Sequence, residues 1–128
     1  MEIGMNSITN YCRFIGTLVE DPELEELETT SVVTFTLAIY EYIKEKGSYS
    51  GGRKKKKIVN YFDFEAWDTG ATAIAKLCKK GDMVDIVSSA RNNRWKNTET
   101  DEDFETRFRV KEFQLFNKRS RQEVYNGS

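Results

Sequence analysis

The amino-acid sequence predicts an all-β protein, a five-stranded Greek-key barrel with one α-helix between the third and fourth strands. Several stretches alternate apolar and polar residues, which is the period of a strand with one buried face, and one stretch has the period of a helix. The chain has 128 residues, the size of a single domain with a modest core. We therefore expect one domain over residues 1–116 and a short, disordered polar tail over residues 117–128.

Composition and charge narrow the class of protein. Apolar residues make up 38% of the chain and charged residues 32%, and no apolar run is long enough to cross a bilayer. The first ten residues lack the basic start and apolar stretch of a secretory signal, so we expect a cytoplasmic protein with no membrane partner. The net charge of -1 hides acidic segments at 20–28 and 99–105 and basic ones at 53–57 and 118–121. Only the local charge along one surface therefore bears on a polyanionic partner.

The first two predicted strands are followed by a long loop. Residues 10–18 are rich in apolar side chains and precede an Asp-Pro turn signal. From Val33 onward the alternation is regular, with odd-numbered residues to Ile39 facing the core and Tyr40 on the opposite face. Residues 44–57 contain three glycines, two serines and five consecutive cations, a composition that cannot bury a core. We interpret this segment as a flexible loop between the second and third strands.

The third strand and the helix follow directly. Residues 58–67 alternate so that Phe62, Phe64 and Ala66 face the core and Tyr61, Asp63, Glu65 and Trp67 lie on the other face. Over residues 68–80 the period changes to that of a helix, with Thr69 as the expected N-cap and Gly81 as the expected stop. The apolar stripe of this helix consists of Ala71, Ile74, Ala75 and Cys78.

Two further strands complete the predicted order. Residues 83–95 alternate again, and a polar, acidic loop over 96–103 leads to a fifth strand that begins at Phe104 and ends near Phe116. Five strands with a helix after the third match the oligonucleotide-binding (OB) fold, which binds ligands through the face of its second and third strands and through its loops.

Aromatic rings and cations on the outer faces carry the functional prediction. A protein that binds single strands without sequence preference needs flat rings on which bases stack and cations for the phosphates. We take Tyr40 with Tyr42, Tyr61 with Trp67, and the segment around Trp95 as candidates for this surface. Arg107, Arg109 and Lys111 alternate on the fifth strand but are equally well explained as solvated side chains. The predicted contacts with single-stranded DNA are Tyr42, Arg53, Lys54, Lys55, Lys56, Lys57, Tyr61, Trp67, Arg91, Arg94 and Trp95.

The same residues have simpler interpretations that remain open. The rings can pack against a partner subunit or the helix, Trp95 can cover one end of the barrel, and the basic run can be a solvated loop. The chain has no histidine, no glycine-rich phosphate loop and no cysteine cluster, so we expect no enzyme, cofactor or metal site. Asp63 and Glu65 are expected to be solvated or paired with cross-strand cations, and Cys12 and Cys78 to be free thiols.

Several short motifs resemble the bacterial-type single-stranded DNA-binding protein from about residue 5 to residue 116. They are Asn10 with Gly16-Thr17-Leu18 and Asp21-Pro22-Glu23, then Thr36-Leu37-Ala38, Trp67 through Lys80-Gly81-Asp82, Arg91 with Trp95, and Phe104. The resemblance implies that Tyr61, Trp67 and Trp95 stack on bases, with Tyr42 or Ile43 near another stacking position. It also implies a homotetramer, usually a pair of dimers, with a dimer as the alternative.

The chain departs from that family at three places. Asp63 and Glu65 put negative charge between two stacking positions, residues 99–103 are acidic where a DNA-contacting loop is expected, and residues 117–128 lack the acidic, phenylalanine-terminated tip. Replication and repair proteins stay among the candidate partners, although the tip through which the family recruits them is absent. We expect a protein that protects and organises single-stranded DNA in replication, recombination and repair. The alternatives are a primosome-type accessory protein that acts through protein partners and a structural subunit whose rings all form interfaces.

Overall fold

The computed structural model describes residues 9–44, 55–95 and 103–117. Almost all of the tail predicted for residues 117–128 lies outside this range, as do the central part of the basic loop and most of the acidic loop. The elements in chain order are β1 (Cys12–Leu18), β2 (Glu23–Glu26), β3 (Ser31–Lys44), β4 (Lys55–Trp67), α1 (Asp68–Leu77), β5 (Met83–Trp95) and β6 (Asp103–Asn117).

The strands form one sheet in the order β1-β5-β6-β4-β3-β2. The pairing of β4 with β6 is parallel and the other pairings are antiparallel. β1 pairs a second time, with β3, where Thr17 lies opposite Ala38 and Leu18 opposite Leu37. Five of the strands therefore form a closed cycle of pairings, and β2 is attached to β3 at the edge of the sheet.

In the described part of the chain the sheet has six strands, so the prediction of five is wrong. The additional strand is β2, whose four residues pair with Ser31–Thr34 at the start of β3. A turn closed by the hydrogen bond from the Leu27 amide to the Thr30 carbonyl, 2.8 Å, connects the two strands. Three of the four β2 residues are glutamate, a residue with low strand propensity, and all four are exposed. Neither composition nor burial therefore marks this segment as a strand, and only its backbone pairing does.

The core consists of the side chains that the alternation places on one face of each long strand. Phe64 is fully buried, and its ring lies 5.3 Å from the Phe35 ring and 5.5 Å from those of Phe14 and Phe108. Ala71 and Ile74 bury the apolar stripe of α1 against this cluster, as predicted. The remaining buried members of this cluster are Leu18, Val33, Leu37, Ala66, Cys78, Val84 and Ile86.

The start of the helix differs from the prediction. The N-cap is Trp67, which makes no capping hydrogen bond with its side chain, and Thr69 lies inside the first turn, where its carbonyl accepts a hydrogen bond from the Thr72 hydroxyl at 3.1 Å. The Asp68 carboxylate accepts a hydrogen bond from the Thr30 hydroxyl. The first turn of α1 is therefore fastened to the turn after β2 instead of being capped locally.

The basic run is not entirely a loop. β3 extends to Lys44 and β4 begins at Lys55, so Lys55, Lys56 and Lys57 belong to a strand and lie opposite Lys44, Ile43 and Tyr42. Lys56 and Lys57 are exposed. Beyond the core a two-stranded ribbon is solvated on both faces, so backbone pairing alone can order residues that cannot contribute to a core. The composition of residues 44–57 predicted a loop over the whole segment, whereas Lys44 and residues 55–57 belong to strands.

Gly16 is required where β1 approaches β3. A Cβ atom at this position would lie 2.8 Å from Cγ1 of Ile39 and 2.9 Å from the Ala38 carbonyl oxygen. Because the second contact is with backbone, a side-chain rotation cannot relieve it. We expect Gly16→Ala to lower the free energy of unfolding by about 1–3 kcal/mol, measured by urea denaturation.

Gly70 provides a matched control for this substitution. A Cβ atom there has its nearest contact at 3.9 Å, with Cβ of Ala66, and the residue lies within α1. Gly70→Ala should therefore leave stability unchanged or raise it by up to about 1 kcal/mol. Equal effects of the two substitutions would contradict the close approach of β1 to β3.

An ion pair joins the outer faces of β1 and β5. The Arg13 guanidinium donates two hydrogen bonds to the Asp85 carboxylate, at 3.0 Å and 2.6 Å. Hydrogen bonding to Arg13 lowers the pKa of Asp85 below its usual value, and the same contact raises the pKa of Arg13. A carboxyl group with a lowered pKa in the folded state stabilises the fold above its ordinary pKa, and this contribution is lost as the pH falls through the folded pKa.

The stability difference between the wild type and Asp85→Asn should therefore be constant near neutral pH and shrink on acidification below about pH 4. Urea denaturation at a series of pH values measures it. In an Arg13→Met background the same Asp85→Asn comparison should lose most of its pH dependence. A difference that grows as the pH falls would contradict the assigned pair.

Candidate nucleic-acid interface

Three exposed tyrosines share one face of the β3–β4 ribbon. In the register of this pair Ala38 lies opposite Tyr61 and Tyr42 lies opposite Lys57. Because directly opposed residues lie on one face and side chains alternate along each strand, Tyr40, Tyr42, Lys57 and Tyr61 point to the same side. The rings of Tyr40, Tyr42 and Tyr61 are 50%, 64% and 63% exposed. We call these four residues the tyrosine face.

Within the tyrosine face, Lys57 contacts one ring. Its Nζ atom lies 4.4 Å from the centre of the Tyr40 ring, a cation–π distance. One side of that ring is thereby covered, and Tyr42 and Tyr61 are the more accessible surfaces for a flat ligand. Lys56 lies opposite Ile43 and therefore on the other face of the ribbon, although it was predicted together with Lys57.

Trp67 is less available than the tyrosines. Its side chain is partly buried, and its Nε1 atom is buried without a hydrogen-bond partner among the described residues. The Arg109 guanidinium carbon lies over the ring, 5.5 Å from its centre. The alternation of β4 therefore placed Trp67 on the expected face but could not show that a cation covers one side of the ring.

Glu65 and Asp63 are both engaged with neighbouring side chains. Glu65 is 3% exposed and accepts a hydrogen bond of 2.8 Å from Nε of Arg109, while Arg107 Nη1 lies 3.8 Å from its other oxygen. Asp63 accepts a 2.8 Å hydrogen bond from the Thr36 hydroxyl. The expected pairing of Glu65 with cross-strand cations is confirmed, but this carboxylate is buried and not solvated. Its negative charge is offset within the site.

The arginines of β6 are the residues that the predicted site left out. Arg109 lies opposite Glu65 across the parallel β4–β6 pair, and Arg107 lies opposite Arg91 on β5. Their alternation was visible in the sequence, but nothing in it showed that β6 lies beside β4. Arg91 is exposed, and its Nε donates a 3.4 Å hydrogen bond to the Ser89 hydroxyl.

An acidic cleft lies between β2 and the outer faces of β3 and β4. It has a volume of about 230 Å³, and its lining includes Glu20, Asp21, Glu23 and Asp63 together with Arg107. Such a concentration of carboxylates repels phosphates. This cleft therefore weakens phosphate binding at the end of the surface that lies next to β2.

Five of the predicted contacts fall partly or wholly outside the described residues. Arg53 and Lys54 lie wholly outside them. Lys55, Arg94 and Trp95 belong to the described backbone of β4 and β5, but their side chains are not described. Their roles remain predictions.

Two further observations concern the described ranges 9–44, 55–95 and 103–117. No group of three or more His, Cys, Asp or Glu side chains there has an arrangement that could hold a metal ion. None of the helices in these ranges has the length and apolar character needed to cross a membrane.

The mostly β architecture, its helix after β4 and the tyrosine face define the chain as a protein of the OB-fold class. Residues 9–116 match the Single-strand binding protein family, and the chain belongs to this family. Among solved structures it is similar to the Plasmodium falciparum SSB in complex with ssDNA, at 18% sequence identity and a TM-score of 0.72, over 84% of this chain and 95% of that one. No curated protein sequence matches the chain.

Proposed function

We propose that this protein binds single-stranded DNA without sequence preference and covers it during replication, recombination and repair. The observation that carries the proposal is the tyrosine face, where three rings with exposures of 50% to 64% stand on two paired strands beside Lys57. Membership of the Single-strand binding protein family and the similarity to an SSB bound to ssDNA support it.

Base stacking is the main source of affinity in this proposal. Each base that stacks on an aromatic ring contributes about 1–3 kcal/mol and is accepted whatever its identity. Tyr42 and Tyr61 are the most exposed of the three tyrosines, and Trp67 and Trp95 supply further rings. Because Asp63, Glu65 and the acidic cleft reduce the local positive potential, phosphate contacts contribute the smaller part. These come from Lys57, Lys56, Arg91, Arg94 and the basic residues Arg53, Lys54 and Lys55.

We propose further that the protein has no catalytic role, that no cofactor takes part, and that it assembles as a homotetramer, with a dimer as the alternative. We also propose that the five strands of the closed cycle form a barrel with β2 added at its edge, because a barrel requires this closed cycle of strand pairings. The sequence contains no histidine and no cysteine cluster, which supports the proposed absence of catalysis.

A titration of intrinsic fluorescence with oligo-dT at several salt concentrations tests the proposed function. We expect quenching that saturates. The affinity should fall as salt rises, because lysine and arginine side chains that contact phosphates release condensed counterions from the DNA. Absence of quenching at low salt would contradict the proposal and favour a primosome-type accessory role through protein partners. Competition between matched DNA and RNA oligomers measures the preference for DNA.

The mass of the assembly in solution separates binding rings from interface rings. Trp67→Ala and Trp95→Ala should each weaken oligonucleotide binding while the mass from light scattering stays that of the wild type. If either substitution dissociates the assembly, that ring belongs to an interface and the structural-subunit alternative gains support.

A further inference from the structure

Arg109 is held from two sides by residues of β4. Its Nε donates a 2.8 Å hydrogen bond to Glu65, whose side chain is 4% exposed, and its guanidinium lies over the Trp67 ring at 5.5 Å from the centre. The Arg109 side chain itself is 39% exposed. A long side chain that normally samples many rotamers is thus fixed while a substantial part of it remains in contact with solvent.

The charge around Arg109 is largely cancelled. Glu65 lies 2.8 Å from Arg109 and 3.8 Å from Arg107, and Arg107 also lies 3.8 Å from Glu105. Two arginines and two glutamates therefore form one group with no net charge. Because attraction for phosphate depends on net local charge, this group attracts a phosphate weakly. The planar shape of the guanidinium is unaffected by the cancellation.

An arginine side chain that is fixed and partly exposed can offer the plane of its guanidinium to a nucleobase for stacking. We infer that Arg109 is a stacking platform for a base and that Glu65 is its positioning residue. Trp67 supports Arg109 through the side of its ring that the guanidinium covers. This inference rests on the proposed binding of single-stranded DNA and adds to it a contact on β6. It assigns Arg109 a ligand of defined chemistry, the face of a base, in place of a backbone phosphate.

Arg109→Lys separates the two chemistries because it keeps the charge and removes the plane. We expect oligo-dT affinity to fall roughly tenfold, while the slope of log affinity against log salt stays at the wild-type value. Arg13→Lys is the matched control, since Arg13 is also an arginine paired with a carboxylate but lies on β1, which pairs with β5 and β3 and not with β4 or β6. This control should bind like the wild type.

Glu65 is tested through its effect on Arg109. Glu65→Gln keeps an oxygen that accepts the Nε hydrogen bond and should retain most of the affinity. Glu65→Leu removes the acceptor and should weaken binding by about the factor seen for Arg109→Lys. The double variant Glu65→Leu with Arg109→Lys should be no weaker than either single variant, because both act on one contact. Circular dichroism before each titration confirms that the variants are folded.

The outcomes distinguish this inference from the proposal beneath it. If the wild type binds oligo-dT and Arg109→Lys binds equally tightly, the inference is overturned and the proposed function stands. The double variant Glu65→Gln with Arg109→Gln removes one charge of each sign. If it lowers the magnitude of the slope of log affinity against log salt by about 0.7, Arg109 contacts a phosphate and the inference is likewise overturned. If the wild type does not bind at all, both fail.

Discussion

Replacing Tyr42 and Tyr61 together by alanine is expected to weaken binding to oligo-dT by roughly a hundredfold or more. Each ring that loses a stacked base costs about 1–3 kcal/mol, and every 1.4 kcal/mol corresponds to a factor of ten. Both rings are more than 60% exposed, so their loss leaves no cavity and should leave the fold intact. Titration of the intrinsic tryptophan fluorescence gives the affinity, and urea denaturation checks the stability.

Tyr11→Ala is the control for this pair. The Tyr11 side chain is 58% exposed, similar to the other two, but it lies beside β1 and outside the tyrosine face. Affinity in this variant should remain within about twofold of the wild type. Equal losses from Tyr11→Ala and from the double substitution would show that general surface aromaticity, and not the tyrosine face, accounts for binding.

The largest effect on stability is expected for Phe64→Ala. Phe64 is fully buried at the centre of the ring cluster, with Phe14, Phe35 and Phe108 around it. Truncation of a buried phenylalanine removes its transfer free energy and leaves a cavity, at a cost of about 3–5 kcal/mol. Typical domains are stable by about 5–15 kcal/mol, so the variant should be marginally folded at room temperature. Urea or thermal denaturation provides the measurement.

Phe116 offers the same substitution at an exposed position. Its side chain is 53% exposed near the end of β6. Phe116→Ala should therefore change the free energy of unfolding by no more than about 0.5 kcal/mol. A large loss there would mean that Phe116 is covered in an assembly, which the concentration dependence of its unfolding would reveal.

The alternation of side chains predicted the long strands because it reflects burial, which is a local property of the sequence. Val33, Leu37 and Phe64 are fully buried, as their positions in the alternation require, and the order of long strands and helix is as predicted. The failures occurred where backbone pairing determined the structure without burial. β2 is an exposed strand composed largely of glutamate, and Lys55 to Lys57 belong to a solvated ribbon.

The candidate site was predictable only in part, for a related reason. Alternation identifies which residues of β4 share a face, and Tyr61 is exposed accordingly. It does not show which strand lies beside β4. The parallel pairing with β6 brings Arg109 to Glu65 and Trp67, residues that are more than forty positions away in the sequence. The alternation of residues therefore predicted exposed rings, but not the arginines of β6 that lie beside Glu65 and Trp67.

The glutamates of β2 also have a consequence for growth of the sheet. β2 is the terminal strand in the sheet order, and Glu23, Glu25 and Glu26 are all exposed along it. An edge strand is a template for β-augmentation by another chain, and short, charged edges oppose this. Two copies that approach edge to edge here would bring six carboxylates into proximity. We therefore expect this edge to oppose pairing with a strand of another chain.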